Sequence, residues 1–584
     1  MEKRKTQKQN NKGLVVFTCI ALALAIGLGA VVYLPKLLKK SGDPVANNTP
    51  IPIATDYYVT TDPSGDPIII TVPPTDEPQN TDTIAVKHKY GVSCSNPYVT
   101  AIGMNILDNG GNAVDAAVAM AFALGVLEPY ASGIGGGGGM LVRDPATGEC
   151  MFYDYRDAAG ENISSTIGKT GVPGFVLGME TVHQKYGKMA WGSLLQPSIE
   201  YAENGFEISA SFARHLQSSR SKLSSRKNPQ FYNGTRLLVE GETIVQTDLA
   251  ETYRKIQRYG STVFYHGAIT EHMIEATRLT QEDFDNYAVC ERKPVTGTYK
   301  GCMIVSAPAP FSGTTLIQML EIAERINFDT YDDDIVRYGK IMAALSSVTL
   351  KDRRRNICDP AYHTVPANLL TEEHIDNLTE QVKEGSSQYI EPDDEHESTT
   401  HISVIDADGM MVSVTNTLSD FFGLGVYVDG FFLNDTMVTS SSDTSARNYC
   451  QRGQRPRSFA MPTFILGEDG LKIALGSSGG DRIPQVVMQI IVRYFNGEQL
   501  QEACDRPRIV MDGYYYYIED ASVIDPNNRL PQNGFYKLAF STREYFGAFN
   551  AVGVLSDGTA FGASDTRRYG SFDVGDGGDT GHDS

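Results

Sequence analysis

The chain has 584 residues, 41% of them hydrophobic, which is enough for a large buried core and for several domains. Its formal net charge is −21; residues 1–40 carry eight basic side chains and one acidic side chain, so −28 falls on the remainder. So acidic an exterior disfavours nucleic acids and other polyanions as partners. The seven cysteines beyond the N-terminal apolar run are scattered without a CxxC pair, which excludes a disulfide scaffold and a zinc site but leaves room for one or two disulfides.

The N-terminus has the pattern of a membrane anchor. Residues 14–34 contain no charged side chain and are long enough to span a bilayer. Five basic residues precede this run, which favours a cytoplasmic N-terminus, although a weaker basic group at 36–40 argues mildly against it. No small-residue cleavage site follows, so an uncleaved signal anchor is favoured over a removed signal peptide. We predict a single-pass protein of the cell membrane with a cytoplasmic tail and anchor over 1–40 and an extracellular folded part.

Three polar segments are predicted to lie outside the folded core. Residues 41–84 are rich in Pro, Thr, Asp and Asn and are predicted to form an extended, disordered stalk, with folded structure starting near Val86. Residues 569–584 are mostly Gly, Asp and Ser and are predicted to be a disordered tail. The acidic stretch 384–398 is either an accessible segment that leads into a processing site or an ordinary surface loop.

Between these limits, helices come first and strands later. Residues 114–127 predict a buried, alanine-rich helix that is too short to cross a membrane. Amphipathic patterns predict further helices at about 175–186, 193–204, 247–259 and 315–326. From Thr399 the pattern changes to period two, with strands at 401–405 and 411–415 around an Asp-Gly turn, a strong hairpin signal. The turn aspartates are not interpreted as a calcium loop, because no acidic ligand follows at the required spacing.

Thr399 stands at the head of this hairpin. A threonine hydroxyl is a poor nucleophile unless a base lies beside it. Cleavage of the Ser398–Thr399 bond would supply that base, since the new α-amine has an ordinary pKa of about 8. The alternative is that Thr399 and Thr400 simply open a strand, which β-branched residues favour.

Two glycine clusters, at 133–139 and 476–480, need an explanation. Neither has the Gly-Lys-Ser/Thr ending of a phosphate-binding loop or the context of a dinucleotide site. Glycine lets a backbone approach closely and lets N–H groups point at an anion, so two such donors near a threonine nucleophile would form an oxyanion hole. Tight turns with no catalytic role explain either cluster equally well.

Several segments together resemble one family, the γ-glutamyltranspeptidases. They occur in the family's order, span about residues 86–570, and are highly specific in combination. The matching segments are 110–117 with its continuation through 128–137, 171–174, 399–401, 476–480 and 562–565.

This resemblance implies an N-terminal-nucleophile hydrolase with an α+β fold, a four-layer αββα sandwich made as one precursor. The precursor cuts itself between Ser398 and Thr399, and the portions 85–398 and 399–584 stay together as a heterodimer. Thr399 would then be both the processing residue and the nucleophile that attacks a γ-glutamyl amide and passes the acyl group to water or to an acceptor amine. No cofactor and no metal ion are implied.

The resemblance also assigns further site residues. Gly479 and Gly480 match the oxyanion-hole pair, and Thr417 matches the threonine that hydrogen-bonds the nucleophile. Arg156 matches the arginine that binds the substrate α-carboxylate, a planar anion that suits a bidentate guanidinium. Ser458 matches a serine that helps to hold the same carboxylate.

The donor pocket departs from the family pattern. In the run that usually reads Asn-Asn-Gln/Glu-Met-Asp-Asp, Ser440 is predicted to take the place of the aspartate that holds the α-ammonium, and Thr436 that of Gln/Glu. Phe459 replaces a second serine, and Ser419 occupies a position often filled by asparagine. An ammonium needs an anion to offset its desolvation, so free donors such as glutathione are expected to bind less well. Asp435 is a candidate to compensate.

The altered pocket suggests a polymer substrate. The segment 438–454 is too short for a covering lid, and an open cleft without an ammonium clamp fits the interior of poly-γ-glutamate, whose amines are acylated and whose α-carboxylates remain. The acidic exterior opposes a polyanion unless the cleft is locally basic. Glutathione-type γ-glutamyl peptides stay the other candidate substrates. The alternative functions are an N-acyl amidase of the same superfamily and a non-catalytic, surface-binding relative.

Overall fold

The structure, a computed structural model, describes residues 89–162, 169–328, 335–385, 398–513, 515–520 and 543–575 and three short strands, Tyr57–Thr61, Pro67–Thr71 and Lys537–Ala539. The predicted anchor at 14–34 lies outside these residues, as does the segment directly before Ser398. Within the described ranges, no helix combines the length and the apolar character that crossing a bilayer requires.

Two antiparallel sheets form the centre of the molecule. The first has seven strands, in the spatial order Cys290–Arg292, Cys150–Tyr155, Gly137–Arg143, Met411–Ser419, Ser398–Ile405, Tyr90–Cys94 and Ser571–Gly575. The second has six, in the order Val295–Tyr299, Cys302–Ser306, Thr463–Leu466, Lys472–Ser478, Ala548–Val554 and Ala560–Ser564. Both sheets therefore combine strands from before and after Thr399.

The sheets face each other and each carries helices on its outer side. An apolar layer that includes Phe152, Phe311 and Phe464 fills the space between the sheets. Helices that share a core with the seven-stranded sheet are Pro97–Asp108, Ala113–Leu127, Phe175–Tyr186, Trp191–Asn204, Thr247–Tyr259, Thr262–Tyr265, Ala268–Ala276 and Gln281–Asp285. Helices on the six-stranded side are Gly313–Arg325, Ile335–Asn356, Glu372–Lys383, Ile483–Phe495 and Leu500–Asp505. The layers thus run helix, sheet, sheet, helix, with mixed α/β content as predicted.

The helix predictions agree with the structure to within two residues at each end. The predicted buried helix at 114–127 is Ala113–Leu127, and all of its side chains are buried. It starts at a capping box in which Asn112 accepts from the Asp115 amide while Asp115 accepts from the Asn112 amide. Uniform burial explains the alanine-rich composition, because this helix has no exposed face.

The predicted hairpin is present and is longer than expected, with strands Ser398–Ile405 and Met411–Ser419. The Asp406 carboxylate closes its turn by accepting from the Asp408 and Met410 amides at 3.0 and 2.9 Å, and it also accepts from the Ala113 amide at 2.9 Å. The interpretation of this sequence as a turn is confirmed.

Two predictions of disorder are wrong in part. Ser571–Gly575 is an edge strand that pairs with Tyr90–Cys94, so the tail does not become irregular at 569. Tyr57–Thr61 and Pro67–Thr71 pair with each other inside the predicted stalk. The stalk strands are short runs of mainly β-branched and aromatic residues, whereas Ser571–Gly575 contains only Phe572 and Val574 of these types, and the average composition of a polar segment hides both. The seven described cysteines are all free thiols.

Gly476 sets the approach of the two sheets at His401. The buried His401 ring is fixed by Thr415 Oγ1, 2.9 Å from Nδ1, and Ser403 Oγ, 3.1 Å from Nε2, and a Cβ at Gly476 would lie 2.2 Å from the ring. Gly476→Ala is expected to lower the free energy of unfolding by about 1–3 kcal/mol, because this overpacking cannot relax cheaply. Denaturant unfolding measures the change. Gly192→Ala is the control, since its nearest neighbouring atom would be 3.4 Å away; equal losses in both variants would contradict the expectation.

Candidate active site

A β-bulge lies opposite Thr399 in the hairpin. Ser398 pairs with Ser419 and Thr400 pairs with Asn416, so two residues of the partner strand, Thr417 and Leu418, lie opposite Thr399. A bulge of this kind redirects a side chain. Here it coincides with a contact between the hydroxyls of Thr417 and Thr399.

The Thr417 hydroxyl touches both reacting groups of the predicted cleavage site. Thr399 Oγ1 donates to Thr417 Oγ1 at 3.4 Å, and the Thr417 hydroxyl in turn donates to the Ser398 carbonyl oxygen. The Ser419 amide donates to Thr417 Oγ1 at 2.8 Å and fixes the position of this oxygen. The bond to the Ser398 carbonyl polarises the group that the Thr399 hydroxyl would have to attack.

Ser419 is both strained and incompletely bonded. Its φ of +80° lies in the left-handed region, which is uncommon for a residue other than glycine. Its hydroxyl is buried and has no hydrogen-bond partner in the described part of the chain. Such strain costs about 1–3 kcal/mol and concentrates at functional sites, so the conformation is consistent with the predicted substrate contact.

A backbone segment that sequence reasoning left without a role contacts the cleavage site. The Ala131 carbonyl accepts from Ser398 Oγ at 3.3 Å and from the Leu418 amide at 3.1 Å. Ser132 Oγ accepts from Thr400 Oγ1 at 2.9 Å. The signal was present, since Ser132 belongs to one of the matching motifs, but nothing in the sequence connects it to Thr399.

The first glycine cluster allows close backbone packing. A Cβ on Gly135, Gly136 or Gly138 would lie 2.0–2.2 Å from a carbonyl oxygen of a neighbouring segment. For Gly136 that oxygen belongs to Thr417. Glycine is therefore required here so that the strand and loop can approach the hairpin that begins at Ser398, and no oxyanion hole needs to be assumed to explain the cluster.

The second cluster ends in the predicted oxyanion pair. Gly479 and Gly480 follow the strand Lys472–Ser478 and have φ values of +132° and +59°. The first residue of that strand, Lys472, lies beside Gly409 in the hairpin turn, and Gly476 lies against His401. The strand therefore runs from the turn toward the Thr399 end of the hairpin, and the two glycines follow it in that direction. Neither amide donates to another residue within the described ranges, which leaves both N–H groups available to an anion.

Arg156 lies at the same end of the seven-stranded sheet. It follows Tyr155, which pairs with Gly138 and whose hydroxyl donates to Asn416 Oδ1 at 2.8 Å. Asn416 in turn pairs with Thr400. Neighbouring strands are about 4.8 Å apart, so Arg156 lies on the order of 10–15 Å from Thr399.

The Arg156 side chain reaches the segment before Ser458. The residue is fully buried, and its Nε and Nη2 donate to the carbonyls of Pro456 and Arg457, both at 2.9 Å. Ser458 Oγ accepts from the Ala460 amide at 3.1 Å. The two predicted carboxylate-binding residues are therefore brought together, although both would be taken for surface residues without the resemblance.

Phe459 has a packing role. Its buried ring lies 3.5 Å from the guanidinium carbon of Arg353, a cation–π contact. Arg353 Nε also donates at 2.7 Å to Ser312 Oγ, which donates at 2.8 Å to the Ser458 carbonyl. Phe459, which replaces the family's second serine, thus packs against the arginine that is linked through Ser312 to the Ser458 carbonyl.

The polar residues at the start of the 434–440 segment bond within the protein. Asn434 Nδ2 donates to the carbonyls of Gly135 and Gly171 at 2.9 and 3.0 Å, and its Oδ1 accepts from the Gly171 amide. Thr436 Oγ1 donates at 2.6 Å to Asp157, and burial raises the pKa of that carboxyl group to about 7. Thr436 therefore pairs with a buried acid of the protein.

The predicted replacement at the ammonium position needs a correction of one residue. Counted from Met437, the second aspartate of the motif falls on Thr439, one position before Ser440. Thr439 Oγ1 donates to the Thr436 carbonyl at 2.8 Å, and Ser440 Oγ accepts from the Cys450 amide at 2.9 Å. The one carboxylate of this segment is the buried Asp435, whose Oδ1 accepts from the Asp420 amide at 2.9 Å.

The sandwich and the threonine at the head of its central hairpin define an N-terminal-nucleophile hydrolase type of fold. Among solved structures, the cephalosporin acylase from Bacillus halodurans superposes with a TM-score of 0.73 at 23% identity, covering 86% of this chain and 99% of that one. At this identity the likeness concerns the fold alone.

The family follows from sequence. The family model for gamma-glutamyltranspeptidase matches residues 99–574, and the chain belongs to this family. It is 38% identical over 499 residues to the capsule biosynthesis protein CapD proenzyme of Bacillus anthracis, covering 85% of this chain and 92% of the relative. It is 32% identical over 535 residues to the glutathione hydrolase proenzyme of Bacillus subtilis, covering 82% of this chain and 90% of that relative. The resemblance is confirmed, and the chain is an enzyme of the γ-glutamyltransferase and glutathione hydrolase type.

Proposed function

We propose that this enzyme is a membrane-anchored γ-glutamyl hydrolase or transpeptidase that cuts its own chain before Thr399 and works through a threonyl acyl-enzyme. The observation that carries the proposal is the Thr417 hydroxyl, which contacts Thr399 Oγ1 and the Ser398 carbonyl oxygen at once. This shared contact supports a processing reaction between the Thr399 hydroxyl and the Ser398 carbonyl group.

Processing would follow from this contact. Thr399 Oγ1 attacks the Ser398 carbonyl carbon, the C–N bond to Thr399 breaks, and the nitrogen takes up the hydroxyl proton. Water then hydrolyses the resulting ester, which leaves a Ser398 carboxylate and a Thr399 with both a free α-amine and a free hydroxyl. The hydrogen bond from Thr417 stabilises the negative charge that develops on the Ser398 oxygen.

The mature site would repeat the same chemistry on a substrate. The α-amine of Thr399 accepts the hydroxyl proton while Oγ1 attacks the γ-glutamyl amide carbon, and the proton then passes to the leaving amine. The Gly479 and Gly480 amides stabilise the oxyanion, and Arg156 with Ser458 holds the α-carboxylate. Water or an acceptor amine releases the acyl group.

The donor pocket favours γ-linked glutamate polymer over free γ-glutamyl peptides. Thr436, Thr439 and Ser440 supply no negative charge, and Asp435 is buried and accepts an internal hydrogen bond. An acylated nitrogen within a polymer needs no anionic partner, whereas a free ammonium does. The 38% identical relative is a capsule biosynthesis protein, and this description agrees with a polymer substrate.

A panel of donors tests this proposal on the full chain in detergent. The expected kcat/KM for γ-linked glutamate oligomers exceeds that for glutathione by about tenfold or more, which corresponds to one missing charged contact. Thr439→Asp should raise kcat/KM for glutathione, and the uncharged Thr439→Asn is the matched control. Glutathione turnover equal to or faster than that of the oligomers would overturn the polymer assignment. Preferred turnover of N-acyl amides that lack an α-carboxylate would favour the amidase alternative.

The same proposal places the catalytic part outside the cell, anchored by residues 14–34. Deletion of residues 1–40 should move the enzyme from the membrane fraction to the soluble fraction without loss of turnover. A deletion variant that stays in the membrane fraction would contradict the anchor.

A further inference from the structure

A groove opens at the end of the sandwich remote from the active site. It has a volume of about 460 Å³ and lies where Arg143 ends one strand and Lys472 begins another. The strand Gly137–Arg143 pairs at its first residue with Thr417. At about 3.3 Å per residue, the groove therefore lies on the order of 20 Å from the catalytic hydroxyls.

The two cations of the groove are not neutralised by the protein. Arg143 Nε is buried and donates no hydrogen bond to any described residue, and neither Arg143 nor Lys472 forms an ion pair within the described ranges. Burial, and then the nearby Arg143, lower the pKa of Lys472 below its ordinary value. The positive charges of Arg143 and Lys472 repel each other, so a bound anion would lower the electrostatic energy of the groove.

Two carboxylates close to the groove form no ion pair with these cations. Glu468 lines the groove but is exposed at its rim, and Asp469 accepts from the Leu471 amide at 3.0 Å within a tight turn. The chain has 71 acidic and 50 basic side chains, so two neighbouring cations without ion-pair partners differ from its average charge. Two cations against one lining carboxylate give the groove the charge that an anionic ligand requires.

The walls suit an extended ligand. Gly301 and Gly470 have positive φ values, and a Cβ at Gly301 would meet nothing within 4 Å, so this side of the groove is open. Met303, which is 43% exposed, provides an apolar surface beside the cations. A chain that alternates methylene groups with carboxylates matches a surface that combines a thioether side chain with two cations.

We propose that this groove is a second binding site for γ-linked glutamate chains, which holds a distant part of the polymer while another part occupies the active site. The identity of the ligand rests on the proposed function. The shared chemistry is a carboxylate-bearing anion, and the experiment separates a polymer from small free anions.

Binding is measured on the full chain carrying Thr399→Ala, so that no turnover occurs. A γ-linked glutamate decamer is titrated calorimetrically at low and at moderate salt. Arg143→Gln combined with Lys472→Gln should weaken binding at least about tenfold and flatten the dependence on salt. Lys340→Gln with Arg355→Gln removes the same charge from two exposed helix positions and should leave binding unchanged. Equal binding by the groove variant and its parent would overturn the site, and so would an equal loss in the control.

Further arms separate this proposal from the proposed function. In the active enzyme, the groove variant should raise KM for the decamer, leave KM for a γ-glutamyl dipeptide unchanged and preserve kcat. Decamer binding that depends on the groove without any cleavage would support the site and refute the polymer-cleaving function. If the oligomers are cleaved and KM changes neither with chain length nor in the groove variant, the second site is refuted but the proposed function is not. Equally tight binding of glutamate or inorganic phosphate would overturn the polymer as the ligand.

Discussion

Thr399→Ala is expected to leave the chain in one piece and to lower amide turnover by three orders of magnitude or more. The substitution removes the hydroxyl that attacks in both reactions, and a covalent mechanism has no substitute for its nucleophile. The residue is 8% exposed and lies at the start of a strand, so the loss of one hydroxyl and one methyl group should not prevent folding. Denaturing electrophoresis and the masses of the two expected fragments measure scission, and a γ-glutamyl amide assay measures turnover.

Two neighbouring variants make the test specific. Thr399→Ser keeps a hydroxyl and, after cleavage, an α-amine, so it should still cut the chain and turn over substrate. Thr400→Val removes the hydroxyl that donates to Ser132 but retains the side-chain shape, and scission should continue. A cut chain in Thr399→Ala, or a failure of scission confined to Thr400→Val, would place the nucleophile elsewhere.

Local sequence patterns made most of the fold predictable. The helix Ala113–Leu127 and the hairpin around Asp406 each have a local pattern that determines their type, and the structure agrees with both. The edge strand Ser571–Gly575 was not predicted because its neighbours are glycine and aspartate and its partner Tyr90–Cys94 is about 480 residues away in the sequence. Local composition contains no information about such a distant partner.

The site was only partly predictable for the same reason. The contact of Arg156 with the Ser458 segment joins positions about 300 residues apart, and it could be anticipated only through the family resemblance. The bulge opposite Thr399 depends on the register of two strands. No residue near Thr417 indicates that register in the sequence. Phe459 could be recognised as a departure, whereas its packing against Arg353 required the structure.

The bulge leads to the second large effect. Thr417→Val is expected to slow self-cleavage by about a hundredfold or more, because valine keeps the shape but removes the donor to the Ser398 carbonyl. It also removes the acceptor for Thr399 Oγ1, which leaves the attacking hydroxyl without its fixed orientation. The rate of fragment appearance after synthesis, followed by denaturing electrophoresis, measures the effect.

Thr417→Ser retains the hydroxyl and should restore most of the rate, which separates hydrogen bonding from packing. Thr415→Val, two residues away, removes a hydroxyl that contacts His401 and not the cleavage site, so it controls for general disturbance of the strand. If Thr417→Val cleaves at the parental rate while Thr399→Ala does not cleave, the carbonyl is activated by another donor. The Gly479 and Gly480 amides would then be the donors to test. They donate no hydrogen bond to any described residue, and they lie toward the Thr399 end of the hairpin.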